Sequence, residues 1–375
     1  MSSELDVSVL RARLERAAAA AARAGVDALL IAPGSDLRYL LGAEGGSFER
    51  LTCLVLPAAG TDGTPALVVP KLEAPGYAQV PTDELGVELV TWVDGEDPFR
   101  LANARTGSAK RVAVSDMAPA LHAFGLRDDR PEVAQVLAGP VLRELRMRKD
   151  AAEVAALRKA GAAIDRVHAR VGEWLRPGRT EAEVGADIAA AIVAEGHTVA
   201  EFVIVGSAAN GASPHHELSD RVIEAGDVVV VDIGGPIAEG YNSDSTRTYV
   251  LGEPSQADVR DTYAVLQAAQ AAAVAAVRPG ATAESIDAAA RTVIAEAGFG
   301  EYFIHRTGHG IGLDVHEEPY IVGGNTIALE PGMAFSVEPG IYQAGRWGAR
   351  IEDIVVVTED GVESVNNQPH DLVVL

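Results

Sequence analysis

Glu224-Ala225-Gly226-Asp227-Val228-Val229-Val230-Val231-Asp232 reads as a turn, a buried strand and a carboxylate, and the pattern returns in Glu330-Pro331-Gly332-Met333-Ala334-Phe335-Ser336-Val337-Glu338. Asp232 and Glu338 stand at the same distance from the turn glycines Gly226 and Gly332. Upstream, Arg176-Pro177-Gly178-Arg179-Thr180 and Arg278-Pro279-Gly280-Ala281-Thr282 each open a helix-forming segment, running to Gly196 and Gly298, and the two align without a gap. Thr180 and Thr282 are N-cap candidates followed by acidic first turns. Such internal self-similarity predicts a duplicated helix-plus-strands unit, each copy delivering a carboxylate at the end of a buried strand. Four valines before Asp232 suit a strand buried on both faces. A carboxylate at that place needs cations, donors or a metal.

Toward the N-terminus, Arg143-Glu144-Leu145-Arg146-Met147-Arg148-Lys149-Asp150 begins a charged, helix-forming run that continues to Ala160. A boundary near residue 148 divides the chain into domains 1–148 and 149–375; one continuous helix inside a single domain is the alternative. In the first domain, Val7, Leu10 and Leu14 space an amphipathic helix that ends at Gly25. Strand candidates follow at Ala28–Ile31, Leu51–Leu56, Ala66–Val69 and Arg111–Ser115, bounded by Gly and Pro. Strands alternating with helical stretches imply a mixed or parallel sheet with helices packed on it, so the fold class is α/β with two domains.

Composition narrows the function classes. The chain has 375 residues, 48% of them hydrophobic, which excludes wholesale disorder and gives enough chain for a large core. A net charge of -23 argues against a nucleic-acid partner, which would require a basic face. No run approaches the roughly 18 apolar residues of a membrane span. Met1 to Arg23 carries Glu4, Asp6, Arg11, Arg13, Glu15 and Arg16, unlike a secretory apolar region, so the expected compartment is the cytoplasm. The single cysteine, Cys53, has no partner for a disulfide within the chain and reads as a buried structural residue.

The candidate chemistry lies in the second domain. Asp244, in Gly240-Tyr241-Asn242-Ser243-Asp244-Ser245-Thr246-Arg247-Thr248, would return beside Asp232 through a hairpin. Alone, that pair reads equally well as a structural Asp with Arg247 as its ion-pair partner. His309 lies in Thr307-Gly308-His309-Gly310-Ile311-Gly312-Leu313-Asp314-Val315-His316-Glu317-Glu318-Pro319, where glycines permit close backbone approach to a ligand. Glu338 precedes Pro339-Gly340, and Glu352, in Arg350-Ile351-Glu352-Asp353, starts another apolar strand. Four carboxylates and an imidazole cannot share a core unless cations balance them. Two divalent ions about 3.5–4 Å apart would do so and are a recognised hydrolytic device. Oxygen-rich ligation favours harder ions such as Mn²⁺.

These motifs resemble the pita-bread metallopeptidase family, which includes methionine aminopeptidase, aminopeptidase P and prolidase. The resemblance rests on Asp232-Ile233-Gly234-Gly235, Gly240 to Arg247, His309-Gly310-Ile311-Gly312-Leu313 with His316-Glu317, Val337-Glu338-Pro339-Gly340-Ile341-Tyr342, and Arg350-Ile351-Glu352-Asp353. It covers roughly residues 150 to 375, and all five family ligand positions are filled in order. The first domain is similar to the creatinase-type N-terminal domain of prolidases and aminopeptidase P, which methionine aminopeptidases lack. The resemblance implies a pseudo-twofold antiparallel sheet backed by helices, with the site in its concave face. It implies that Asp244 and Glu352 bridge two metals, that Asp232 completes one, and that His309 and Glu338 complete the other. Mn²⁺ is the expected ion, with Co²⁺ or Zn²⁺ as alternatives, and a metal-bridging hydroxide is the implied nucleophile. Glu338 would accept and shuttle the proton. His215, in Ser213-Pro214-His215-His216, would stabilise the tetrahedral intermediate or assist proton transfer; His216 is left undecided. His316 would bind substrate, and Arg350 would support the site electrostatically. Tyr241 and Arg247 read as structural supports. The implied function is hydrolysis of the Xaa-Pro bond in dipeptides or short peptides by a homodimer. Aminopeptidase P activity on longer peptides, or a creatinase-like hydrolase of a non-peptide, are the alternatives.

Overall fold

The computed structural model describes residues 6–43, 45 and 49–375. Met1 to Leu5, with Glu4 of the N-terminal segment, lie outside the described residues. The chain divides into two compact units, one ending at Arg146 and the other running from Met147 to Leu375.

The N-terminal unit opens with the helix Val7–Arg23, whose N-cap Asp6 accepts a hydrogen bond from the Ser8 amide at 2.8 Å. Leu10, Leu14, Ala17, Ala20 and Ala21 form its buried face. Six strands follow: β1 (Ala28–Ile31), β2 (Cys53–Pro57), β3 (Ala66–Pro70), β4 (Glu88–Trp92), β5 (Arg111–Val114) and β6 (Ala134–Leu137). They form one mixed sheet in the order β4-β3-β2-β1-β5-β6, with β2 antiparallel to both neighbours and the other pairings parallel. The four strands expected from apolar runs are those at the centre. The unexpected β4 and β6 lie at the edges and are half exposed, so no continuous apolar run marks them. Cys53 is buried in this sheet, and burial pushes its thiol up to about 12.

The charged run from Arg143 does not form one helix. The helix Gly139–Met147 stops, and a new helix, Ala151–His168, starts at Asp150. The Asp150 side chain accepts from the amides of Ala152 and Glu153, and Glu153 reciprocates on the Asp150 amide, all at 2.9 Å. This capping box satisfies the free amides of a fresh N-terminus.

The repeat is present in the C-terminal unit. Thr180 caps the helix Glu181–Ala194, and Thr282 stands at the start of Ala283–Glu296. The Gly178 amide bonds to the Ile223 carbonyl and the Gly280 amide to the Leu329 carbonyl, both at 2.8 Å. Gly226 and Gly332 turn the chain with φ of 87° and 88°. The first half then builds β7 (Phe202–Ser207), β8 (Val228–Pro236) and β9 (Asn242–Val250), paired antiparallel in that order. The second half builds β10 (Gly308–Gly310), β11 (Glu317–Ile321) and β12 (Ala334–Val337). It continues with the hairpin β13 (Gly340–Gln343) and β14 (Trp347–Arg350), and then β15 (Asp353–Val357) and β16 (Val362–Ser364). Its five-stranded sheet runs β11-β10-β12-β15-β16, and the terminal β17 (Val373–Val374) lies parallel to β9.

Two expectations need correction. Asp232 lies inside β8 rather than at its end, because Gly234 and Gly235 stay in register opposite Asp244 and Ser243. Thr282 holds the N-cap position but its side chain makes no capping bond. Strand alternation places the site. Val229, Val231 and Ile233 of β8 pack with Ile164, Val184 and Ile188 of the helices, and Phe335 and Val337 of β12 pack with Leu266, Ile286 and Ala290. Asp232 and Ser336 belong to the opposite face of each strand. Among the described residues no helix is long and apolar enough to cross a membrane.

Candidate metal centre

The β8–β9 hairpin sets Asp244 opposite Gly234 and Thr246 opposite Asp232. With a side-chain period of two, Asp232, Asp244 and Thr246 share one face. Thr246 bridges to Glu352, whose carboxylate accepts from the Thr246 hydroxyl at 2.7 Å. On β10, His309 sits between two glycines that allow no side chain. A Cβ on Gly308 would lie 1.8 Å from the Ser336 carbonyl oxygen, and one on Gly310 would lie 2.2 Å from that of Glu318. The tight crossing brings His309 Nε2 to 3.2 Å from Glu338 and 3.6 Å from Asp244. Ser336 orients both partners, accepting from the His309 amide and donating to Glu338, each at 3.0 Å.

Ligand atoms of Asp244, His309 and Glu352 lie within 4.8 Å of one another, and all three residues are buried. Asp232 and Glu338 flank this trio, each turned to a protein cation. Glu338 faces His309, and Asp232 Oδ2 accepts from Arg350 at 2.6 Å. Arg350 is a fork rather than a distant charge. It also donates to the Thr246 hydroxyl at 3.0 Å, the Tyr342 hydroxyl at 2.7 Å and the Pro214 carbonyl at 3.3 Å. Arg247 lies on the other face of β9, pairing with Asp353 and donating to the Glu352 carbonyl, both at 2.7 Å. The reading of Arg247 as ion-pair partner of Asp232 or Asp244 is thereby replaced.

The charge balance shows what the site lacks. Burial and the Asp232 charge push Asp244 well above the usual carboxylate range, and burial and Asp244 do the same to Glu352. Burial also opposes ionisation of Glu338, but the hydrogen bond and charge of His309 outweigh it and hold Glu338 down to about 2. Burial disfavours the His309 imidazolium, yet Glu338 and Asp244 raise it overall. Buried Asp232 Oδ1 has no hydrogen-bond partner. Arg350 and His309 therefore do not balance four carboxylates. Convergent oxygen donors, one imidazole and an orphaned carboxylate oxygen fit hard divalent cations.

The flanking histidines differ. His316 lies edge-on to His309 with ring centroids 4.1 Å apart, and burial and the His309 charge lower it to about 4. His215 is exposed. His216 turns away, placing Nε2 2.8 Å from Glu181, which resolves it as a loop support. Tyr241 donates at 2.6 Å to Glu153, the carboxylate of the Asp150 capping box.

A model of metallopeptidase family M24 matches residues 155–359, and one of the creatinase/prolidase N-terminal domain matches residues 13–148. The chain belongs to metallopeptidase family M24. The likeness to relatives runs over nearly the whole chain. A probable dipeptidase PepE from Mycobacterium tuberculosis is 61% identical over 100% of this chain and 99% of its own. A Xaa-Pro dipeptidase from Lactobacillus delbrueckii subsp. lactis is 36% identical over 94% of this chain and 95% of its own. The crystal structure of a prolidase from Thermococcus sibiricus is 37% identical, superposes with a TM-score of 0.91, and the match covers 100% of both chains. The two-domain α/β architecture, with a creatinase-type domain before a pita-bread domain, is therefore that of the family.

For this M24 metallopeptidase, the motif reading named Asp232, Asp244, His309, Glu338 and Glu352; three of them converge within 4.8 Å, and the other two, Glu338 and Asp232, pair with His309 and Arg350. It missed His305, whose Nε2 lies 2.9 Å from the Tyr342 hydroxyl. Nothing in the local sequence marks His305 except its nearness to His309. Tyr342 and Thr246 stand within the quoted motifs, but their links to Arg350 come only from the fold.

Proposed function

We propose that this chain hydrolyses the Xaa-Pro bond of dipeptides and short peptides, using two divalent metal ions, Mn²⁺ foremost, held by Asp232, Asp244, His309, Glu338 and Glu352. The observation that carries the reading is the buried convergence of Asp244, His309 and Glu352 beside Asp232, one oxygen of which has no hydrogen-bond partner. The names of the Lactobacillus and Thermococcus relatives support the proline preference. An Xaa-Pro amide offers no N–H, so a site for it must grip other groups.

Bound there, the ions would polarise the scissile carbonyl and acidify a water that serves as nucleophile. The protein's own residues do the rest. Glu338 is anionic and hydrogen-bonded to Ser336 and His309, so it can take the proton of the attacking water and pass it to the leaving proline nitrogen. In this reading His215 and His316, the latter edge-on to His309, would donate to the developing oxyanion and to substrate. Arg350 fixes Asp232 and Tyr342 at once, keeping the carboxylate aimed into the site. We also take the protein to act as a cytoplasmic homodimer.

The test uses metal-stripped protein with and without Mn²⁺, on a Xaa-Pro dipeptide and a Xaa-Pro-Yaa tripeptide. Mn²⁺-dependent cleavage of the dipeptide alone is expected. Tripeptide cleavage would move the activity to an aminopeptidase P type. Failure to cleave either, with two metals bound per chain, would remove the proline-peptidase reading and leave the metal centre. Sedimentation at micromolar concentration checks the dimer.

A further inference from the structure

Glu181 is the first residue of the helix Glu181–Ala194 and is fully buried, with no cation in the helix to balance it. A buried carboxylate is costly unless donors surround it. The donors come from one continuous segment, the last residue of β7 and the loop that follows it. The Ser207 amide and hydroxyl donate at 2.8 and 2.5 Å, and the Asn210 amide lies 3.1 Å from both carboxylate oxygens. His216 Nε2 lies at 2.8 Å and the Ser219 hydroxyl at 2.5 Å. That loop carries His215, an exposed residue that directly follows Pro214. Its other side is tied to the site, since Arg350 donates to the Pro214 carbonyl at 3.3 Å and to Asp232 at 2.6 Å. At its start Ala208 has φ of 47°, a left-handed conformation that a non-glycine residue keeps only where the surroundings impose it.

The repeat provides a control. Ala283 follows Thr282 as Glu181 follows Thr180, and the second helix begins through the same backbone turn without a carboxylate at that place. The helix start does not require Glu181; the loop does. We propose that Glu181 is a positioning residue of the reaction, fixing the loop Ser207–Ser219 so that His215 is held against the metal centre. The proposal rests on the role given to His215 above. Because the His216 ring nitrogen facing Glu181 must carry its proton, the same carboxylate also sets the His216 tautomer.

The experiment compares wild type, Glu181→Gln, His215→Ala and the double variant, all full-length. Kinetics are measured with Mn²⁺ and a Xaa-Pro dipeptide, and backbone amide exchange is followed over residues 207–219. Glu181→Gln keeps the side-chain size but points an N–H at donors. The expected result is faster exchange in that loop and a kcat lower by about tenfold with KM little changed. The double variant should then be no slower than His215→Ala, because both changes remove one function. Unchanged exchange, or losses that multiply in the double variant, would overturn the proposal. An inactive His215→Ala beside a fully active Glu181→Gln would overturn it alone, whereas a fully active His215→Ala would overturn the role of His215 first. If Glu181→Gln does not fold, His216→Ala removes one rim donor and carries the same expectations at smaller amplitude.

Discussion

After Gly226 the first half of the C-terminal unit runs a nine-residue strand with Asp232 inside it; after Gly332 the second half stops at Val337 and leaves Glu338 just beyond. The turns are alike, yet the carboxylates meet different partners. Glu338 finds His309 within its own half, while Asp232 takes Arg350 from the other. The tight trio draws Asp244 from the first half and His309 and Glu352 from the second. Duplication thus supplied a frame in which neither half is a complete site. The loops show the same divergence. Glu181 holds the His215 loop in one half. In the other, Asp287 accepts from the Thr307 amide and hydroxyl at 3.1 and 2.8 Å and pairs with Arg291 at 2.9 Å. Arg291 in turn donates to the carbonyls of Phe303 and His305.

If the centre is shared, substitution from either side should be equally damaging. Asp244→Asn and Glu352→Gln are each expected to lower kcat/KM on the order of a thousandfold and to reduce bound metal per chain. Metal analysis alongside kinetics checks this. A variant of one half that kept full metal content and near-normal rate would show that the other half suffices.

His168 lies eight residues before Arg176, and Gln270 lies eight before Arg278; both are buried. His168 sits between the Tyr249 hydroxyl and the Ser245 carbonyl, and burial, with the Arg247 charge, lowers it to about 3. Its folded value lies below the ordinary one near 6.5, so the unfolded chain takes up the proton first as pH falls. The neutral ring therefore contributes stability that is complete above about pH 6.5 and drains away toward pH 3, at up to about 1.4 kcal/mol per pH unit. His168→Gln copies the second half and should flatten that dependence. Denaturant melts from pH 7 to 4 decide it, and an unchanged slope would mean His168 is not the group responsible.

Legibility followed sequence locality. The valine run of β8, the Pro-Gly helix starts and the carboxylates beside them were readable because each is a contiguous pattern. The end of β8 was not readable, because the strand continues past Asp232 through Gly234 and Gly235, which pair with Asp244 and Ser243 without an apolar run to mark them. The edge strands β4 and β6 were silent, since half-exposed strands need no apolar run. Glu181 could not be read at all. Its donors lie 26 to 38 residues away, and only the fold gathers them. The same holds for His305 and for Arg350 as a fork.

The two loop carboxylates should be separable by metal affinity. Asp287 holds the segment leading to His309, a proposed ligand, whereas Glu181 holds the loop of His215, which is none. Asp287→Asn is expected to weaken Mn²⁺ binding about tenfold, as outer partners of ligands do, while Glu181→Gln leaves it unchanged. Titration of the stripped protein by calorimetry reads this without turnover. Equal weakening in both would mean that the loops do not act separately.

The smallest difference lies at the helix starts. Thr180 accepts from the Glu183 amide at 3.1 Å, and Glu183 returns a bond to the Thr180 amide at 3.0 Å. Thr282 makes no side-chain cap, so the first turn of its helix depends on backbone partners such as the Ala283 amide to the Ile327 carbonyl at 3.0 Å. Thr180→Ala should therefore cost about 1 kcal/mol, the ordinary worth of an N-cap hydroxyl. Thr282→Ala should be near neutral, since it deletes no capping bond and its methyl keeps the same backbone. Paired urea melts test the contrast. Equal losses would mean that Thr282 acts through its β-branched shape and that the two helix starts are closer copies than their hydrogen bonds indicate.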